Sequence, residues 1–334
     1  MKIVVDDKIP YISKVLDELA DEVVYLPGSE IGPANVRDAD ALVVRTRTRC
    51  DEQLLGGSRV QFVATATIGY DHLDTSFLER AGIRWMNCPG CNAGSVAQYV
   101  RSVLILLTRE RGVVPRESTL GVVGCGHVGS RVVQVGREMG FRVVVSDPPL
   151  GLECDLAECD VISYHVPLTR GGDFPTYHMA DERLLQRLMR KPIIINTSRG
   201  AVVDNDALLR ALHEGRVREA VLDVWEGEPD VNRELLREVY IGTPHIAGYS
   251  ADGKVNADNM VIEGLCRHFG IENRWKIEPP ESPEPMPAGE PSADDYLRFY
   301  NPLTDSEKLK CAPEQFERLR GNYAIRREIN VKKA

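Results

Sequence analysis

Short apolar, β-branched runs recur along this chain with amphipathic segments between them, and that alternation constrains the fold more than any other feature. The runs predict strands at Ile3–Val5, Val23–Leu26, Ala41–Val44, Phe62–Thr65, Leu120–Val123, Val143–Ser146, Val161–Tyr164, Ile193–Asn196 and Ala220–Asp223. The periodic segments predict helices at Ile12–Ala20, Ser95–Leu107, Val128–Met139, Asp206–His213 and Ala257–Phe269. Strand and helix in alternation build parallel sheets with crossover helices. The strand runs are apolar at every position, as strands covered on both faces should be. The expected fold class is α/β with two doubly wound parallel-sheet units, one before about residue 95 and one after about residue 115.

With 334 residues, two domains and a small appendage fit the length. Glu278–Pro291 is rich in Pro and Glu and reads as an extended linker. Beyond it, Tyr296–Ile329 regains apolar and basic residues, with a helix predicted near Pro313–Asn322. That tail is too short to bury a core alone, so it packs on its own body or on a second subunit. The net charge of −9 argues against a nucleic-acid surface, which needs clustered Lys and Arg. No apolar run reaches the length of a bilayer span, and Met-Lys-Ile-Val-Val-Asp-Asp leads straight into a strand, arguing against a cleaved signal peptide. A cytoplasmic protein is expected. The eight cysteines are scattered. Cys88-Pro-Gly-Cys91 is the one pair at metal spacing, and a zinc site needs a second, so no metal is expected.

Gly124-Cys-Gly-His-Val-Gly129 follows a strand and opens a helix. In that context Gly124 permits a tight turn, Gly126 a close approach of backbone to a pyrophosphate, and Gly129 tight helix–strand packing. The phosphates would sit at the helix N-terminus, where free N–H groups favour negative charge. The next strand ends at Asp147, 23 residues after Gly124. A carboxylate there accepts hydrogen bonds from the adenosine ribose and repels a 2′-phosphate, favouring NAD over NADP. Taken alone, Asp147 could equally be a turn residue before Pro148-Pro149.

Three further residues follow strands: Arg199 in Asn196-Thr-Ser-Arg-Gly, Glu228 in Asp223-Val-Trp-Glu-Gly-Glu-Pro, and His245 in Thr243-Pro-His-Ile-Ala-Gly-Tyr249. An imidazole is matched to moving protons near neutral pH, and a carboxylate held against it orients the ring. A guanidinium past a strand end can hold a substrate carboxylate through two parallel hydrogen bonds. Singly, each has a structural reading; their joint occurrence downstream of a dinucleotide loop points to a dehydrogenase of an anionic hydroxy acid.

On these residues the chain resembles the NAD-dependent D-2-hydroxyacid dehydrogenase superfamily. A narrower likeness rests on Val4-Val-Asp-Asp-Lys-Ile-Pro10, Val44-Arg-Thr-Arg47, Ala64-Thr-Ala-Thr-Ile-Gly-Tyr-Asp71, Pro89-Gly-Cys-Asn-Ala93, Asp147-Pro-Pro and Gly242-Thr-Pro-His-Ile-Ala-Gly-Tyr249. It points to the branch that oxidises 4-phospho-D-erythronate to (R)-3-hydroxy-2-oxo-4-phosphobutanoate on the route to pyridoxal 5′-phosphate (vitamin B6). The resemblance implies a flavodoxin-like substrate domain of residues 1–95 and 245–275, and a Rossmann NAD-binding domain of residues 96–244. A Pro-rich linker at 276–292 and a C-terminal dimerisation segment at 293–334 complete it, giving a homodimer. It makes Arg199, Glu228 and His245 catalytic. It puts Gly124, Gly126, His127, Val128, Gly129, Asp147, Val166, Asp223 and Gly248 against NAD, and Thr46, Thr67 and Tyr249 against substrate. Arg45 and Arg47 are candidates for the 4-phosphate, since cations beside Thr46 suit a dianion.

Compared with the family form, the stretch between Asp147 and His165 is shorter by about ten residues, with Asp155-Leu-Ala-Glu158 as the remnant of a helix. Val166 stands where a threonine contacts the cofactor. Both departures point to weaker NAD binding. Two other functions fit the same residues: a D-2-hydroxyacid dehydrogenase of the 3-phosphoglycerate type, or a non-catalytic NAD-sensing protein.

Overall fold

A computed structural model describes residues 1–282, 284–324 and 326–329. The chain divides into two compact units, Met1–Asn92 with Ser250–Glu281, and Ala93–Tyr249 with Ser282 onward.

The first unit carries β1 (Lys2–Asp6), β2 (Glu22–Leu26), β3 (Ala41–Val44), β4 (Phe62–Thr65) and β5 (Arg84–Met86). They form one parallel sheet in the order β2-β1-β3-β4-β5, with Ile3 opposite Val23 and Val4 opposite Leu42. The all-apolar strands are explained by the two faces. Ile3, Val5, Ala41, Val43, Phe62 and Ala64 enter one core with the helices Ser13–Leu19 and Ala251–Phe269. Val4, Leu42, Val44 and Val63 enter the other, against the short helices Pro33–Val36, Glu52–Leu55 and Thr75–Arg80. The order in which strands are laid down reverses between β1 and β3, so the loops after Asp6 and Val44 flank the switch point, where open α/β sheets bind ligands.

The second unit carries β6 (Thr119–Val123), β7 (Arg142–Ser146), β8 (Val161–Tyr164), β9 (Ile193–Asn196), β10 (Glu219–Leu222) and β11 (Ile241–Gly242). All pair in parallel, in the order β11-β10-β9-β8-β6-β7. The alternation repeats: Ile193 and Ile195 enter the core under the Ala93–Glu110 and His127–Glu138 helices, and Ile194 enters the opposite one. The sheet ends at β7. The segment from Asp147 to Asp160 holds only two single turns, Pro148–Leu150 and Leu156–Glu158, and no strand beyond β7. The Asp155 remnant is the second of these, its carboxylate accepting from the Ala157 N–H.

Residues 271–292 contain neither helix nor strand among those described. The tail then forms three helices, Ala293–Phe299, Pro302–Cys311 and Phe316–Gly321. It packs on its own unit: Leu309 and Phe316 join one core, Tyr300 the other, and the Ser306 hydroxyl accepts from the Gly242 N–H at 3.0 Å.

Candidate active site

Three glycines shape the loop after β6, each for a different reason. Gly124 has φ +86°, and a Cβ there would lie 2.8 Å from the His165 carbonyl oxygen and from Val166 Cγ1. A Cβ on Gly129 would lie 1.8 Å from the Gly124 carbonyl oxygen, so the helix packs directly on the turn. Gly126 is exposed, and a Cβ there would meet nothing of the protein within 4 Å. The fold therefore does not require glycine at 126, and the space beside it is open. His127 is exposed and Val128 half-buried at the start of the twelve-residue helix. The Asp147 carboxylate accepts from the Cys125 N–H at 2.6 Å, which ties the acid at the end of β7 to the loop. Val166 is half-buried on the opposite side of the turn. Leu150 and Leu152 stay exposed beside Asp147.

Arg199 leaves β9 through a built turn. Asn196, fully buried, donates to the Arg199 carbonyl at 2.9 Å and accepts from the Ser198 N–H and hydroxyl. A Cβ on Gly200 would lie 2.0 Å from the Trp225 carbonyl, so the turn carrying Arg199 sits directly against the Trp225–Glu228 loop. The Arg199 guanidinium donates to the Ser198 carbonyl at 2.8 Å.

Glu228 and His245 meet. His245 Nδ1 lies 2.8 Å from Glu228 Oε2, and Glu228 Oε1 accepts from the Trp225 N–H at 2.9 Å. Arg320, from the tail, places Nη1 3.8 Å from Glu228 Oε2 and donates through Nε to the Tyr249 hydroxyl at 3.3 Å. Burial pushes the Glu228 carboxyl up, but the hydrogen bond and charge of His245, the Trp225 N–H and the Arg320 charge outweigh it. The carboxyl is held below its ordinary range. His245 has φ +58°, a left-handed conformation that costs a non-glycine residue roughly 1–3 kcal/mol unless the surroundings hold it. They do: Asp223 accepts from the Thr243 hydroxyl at 2.6 Å and the Ile246 and Ala247 N–H groups at 2.8 and 2.9 Å, while its own carbonyl accepts from the His245 N–H at 2.8 Å. Asp223 is fully buried and its carboxyl is raised by burial. Gly248 is half-buried on the same loop.

In the first unit, Thr67 donates to the Gly69 carbonyl at 2.8 Å and shares a hydrogen bond with Thr65 at 2.7 Å, while Thr46 and Arg47 are exposed after β3. Arg45 grips the buried Asp6 carboxylate with two nitrogens at 3.0 and 3.1 Å. Its guanidinium thus already bridges the two strands of the switch point.

Several neighbours were not singled out from sequence. Lys254 is pushed down to about 8 by burial and then by the Arg45 charge. His165, after β8, contacts Ser163 at 2.8 Å and Thr197 at 3.4 Å, and burial lowers it to about 3, so it is neutral. The tail arginines 320 and 326 carry no motif that would mark them. Cys88 and Cys91 are buried thiols, Cys88 within reach of the Thr65 and Ala257 carbonyls. Among the described residues no helix is long and apolar enough to cross a membrane.

Residues 101–247 match the family profile described as D-isomer specific 2-hydroxyacid dehydrogenase, NAD binding domain. The structure resembles NAD⁺-bound 3-phosphoglycerate dehydrogenase of Entamoeba histolytica, with TM-score 0.69 and 27% identity over 81% of this chain and 95% of that one. It also resembles a D-lactate dehydrogenase of Aquifex aeolicus solved with NAD and lactic acid, with TM-score 0.67 and 26% identity over 81% and 96%. The fold and the matched domain define a D-isomer specific 2-hydroxyacid dehydrogenase, an NAD-dependent oxidoreductase. Erythronate-4-phosphate dehydrogenase of Bacteroides thetaiotaomicron is 49% identical over 98% of this chain and 97% of its own length, and that of Escherichia coli 40% over 98% and 92%. Within its class, the chain belongs to the erythronate-4-phosphate dehydrogenase family.

Proposed function

We propose that the protein oxidises C2 of 4-phospho-D-erythronate to (R)-3-hydroxy-2-oxo-4-phosphobutanoate with NAD, a step toward pyridoxal 5′-phosphate. The observation that carries the reading is the Glu228–His245 pair at 2.8 Å, on the unit that holds the glycine loop. NAD supplies the acceptor for the hydride leaving C2. The turn from Gly124 to Gly129, with His127 and Val128, would hold its pyrophosphate at the helix N-terminus. Asp147 would accept from the adenosine ribose, with Val166, Asp223 and Gly248 as further contacts.

His245 takes the C2 hydroxyl proton at Nε2, because Nδ1 is committed to Glu228. Glu228, kept ionised, fixes the ring and stabilises the imidazolium. Arg199 binds the substrate carboxylate and polarises the developing C2 carbonyl. Thr46, Thr67 and Tyr249 are substrate contacts. Arg45 and Arg47 are the phosphate candidates, Arg45 from a guanidinium that also holds Asp6 through two nitrogens. The unit of residues 1–92 and 250–281 is the substrate domain. A cytoplasmic homodimer formed through the C-terminal segment completes the proposal.

The test is purified protein with 4-phospho-D-erythronate and NAD, plus a 2-oxo acid to recycle any tightly held NADH. Product formation with this acid, and much less with 3-phosphoglycerate, supports the reading. Turnover of 3-phosphoglycerate alone reassigns the substrate, and NAD binding without turnover of either acid identifies a sensor.

A further inference from the structure

We propose that Arg326 is a positioning residue for the acid–base pair: from the C-terminal segment, its guanidinium fixes the backbone on which His245 stands. The inference rests on the role of His245 proposed above. The two residues after His245 are held from both sides. Asp223 accepts from the N–H groups of Ile246 and Ala247, at 2.8 and 2.9 Å. Arg326 donates to the carbonyls of the same two residues, Nη1 to Ile246 at 3.2 Å and Nη2 to Ala247 at 2.7 Å. Ser95 closes the arrangement, donating to the Ala247 carbonyl at 2.9 Å and accepting from Arg326 Nη2 at 3.1 Å.

Packing alone does not explain an arginine here. The side chain is buried, and among the described residues it hydrogen-bonds two carbonyls and the hydroxyls of Ser95 and Tyr323, while the Asp223 carboxylate acts on it through charge without a hydrogen bond. The Tyr300 ring lies 3.9 Å from its guanidinium carbon. Burying a cation whose hydrogen bonds go to neutral groups is costly, and filling space alone would not call for one. What only a planar, multidentate donor supplies is a simultaneous grip on two successive carbonyls. That grip lies next to His245, whose backbone is left-handed at φ +58°, and it adds to the hold of Asp223 on the same loop. The same segment touches the other half of the pair through Arg320, 3.8 Å from Glu228 and bonded to Tyr249.

The test uses the full-length protein with Arg326→Gln and Arg326→Lys. Arg326→Gln should lower kcat by about 10²-fold, the scale of an ångström-sized misplacement of a reacting group. The substrate KM and NADH affinity should stay within about threefold, because the loss is specific to the transition state. Arg326→Lys, which can reach one carbonyl, should fall between, and it carries the test if the glutamine variant does not fold. Amide hydrogen exchange read by mass spectrometry should quicken in the peptide spanning Thr243–Tyr249 and stay unchanged over the β6–β9 strands. Near-normal kcat with unchanged exchange at Thr243–Tyr249 would overturn the proposal. The exchange readout needs no turnover, so an inactive wild-type protein would refute the proposed activity without deciding the role of Arg326.

Discussion

The second unit contains two histidine–glutamate pairs whose acids lie two residues apart on one loop. His245 Nδ1 meets Glu228 at 2.8 Å; His178 Nε2 meets Glu226 at 2.7 Å. Both histidines have left-handed backbones, φ +58° and +50°, and both side chains are 28% exposed. They differ in what the remaining atoms do. The other ring nitrogen of His178 faces Asp204 at 3.6 Å, its ring stacks on Tyr177 at 4.0 Å, and Glu226 Oε2 accepts from the Asn205 N–H. That pair ties one turn to another, and its second nitrogen faces a second carboxylate. His245 spends only Nδ1 on its carboxylate, and no hydrogen bond to Nε2 is present among the described residues. Its loop is clamped by Asp223 and Arg326. A carboxylate–imidazole contact is common to both; what sets His245 apart for the proposed role is a second nitrogen without a hydrogen bond among the described residues, on a loop held from two sides.

The contrast breaks most sharply at His245. Asparagine tolerates a left-handed backbone, so His245→Asn should keep the fold while losing about 10³-fold in kcat, within the usual reach of general acid–base catalysis. Glu228→Gln should cost about 10²-fold in kcat, read in the same assay, by removing the charge that stabilises the imidazolium. It also has a pH signature. The Glu228 carboxyl is lower in the folded protein than its ordinary 4.5, so ionised Glu228 stabilises the fold above that value and loses the contribution as pH falls through the folded one. The melting-temperature gap between wild type and Glu228→Gln should narrow as pH drops below 4.5. Arg199→Lys, which loses a bidentate, charge-assisted contact of about 1.5–3 kcal/mol, should raise the substrate KM by about 10- to 10²-fold; an unchanged KM removes Arg199 from substrate binding. The smallest effect belongs to His178→Asn, with turnover within about threefold and stability lower by about 1 kcal/mol in a denaturant titration.

Much of this was legible because the β strands are apolar on both faces and several helices carry a full buried stripe. What escaped is short, polar or distant in sequence. β5 and β11 have three and two residues, too few to show a period. The last long helix of the first unit begins at Ala251, six residues before its predicted start, because Asp252 and Gly253 mask a helix that Ser250 caps through the Gly253 N–H. The Pro302–Cys311 helix did carry a signal, Asn301 as cap with Pro302 at its first position. The pairing of Glu228 with His245 followed from their places after strands. The second pair at His178, the bidentate hold of Arg45 on Asp6, and the tail arginines behind the loop arise from contacts 39 to 92 residues apart. No local pattern encodes those.

The most direct measurement compares kcat for 4-phospho-D-erythronate in His245→Asn and His178→Asn, both checked for intact melting transitions. The account predicts about a 10³-fold loss in the first and less than about a threefold change in the second. Equal losses, or a larger loss at His178, would contradict it.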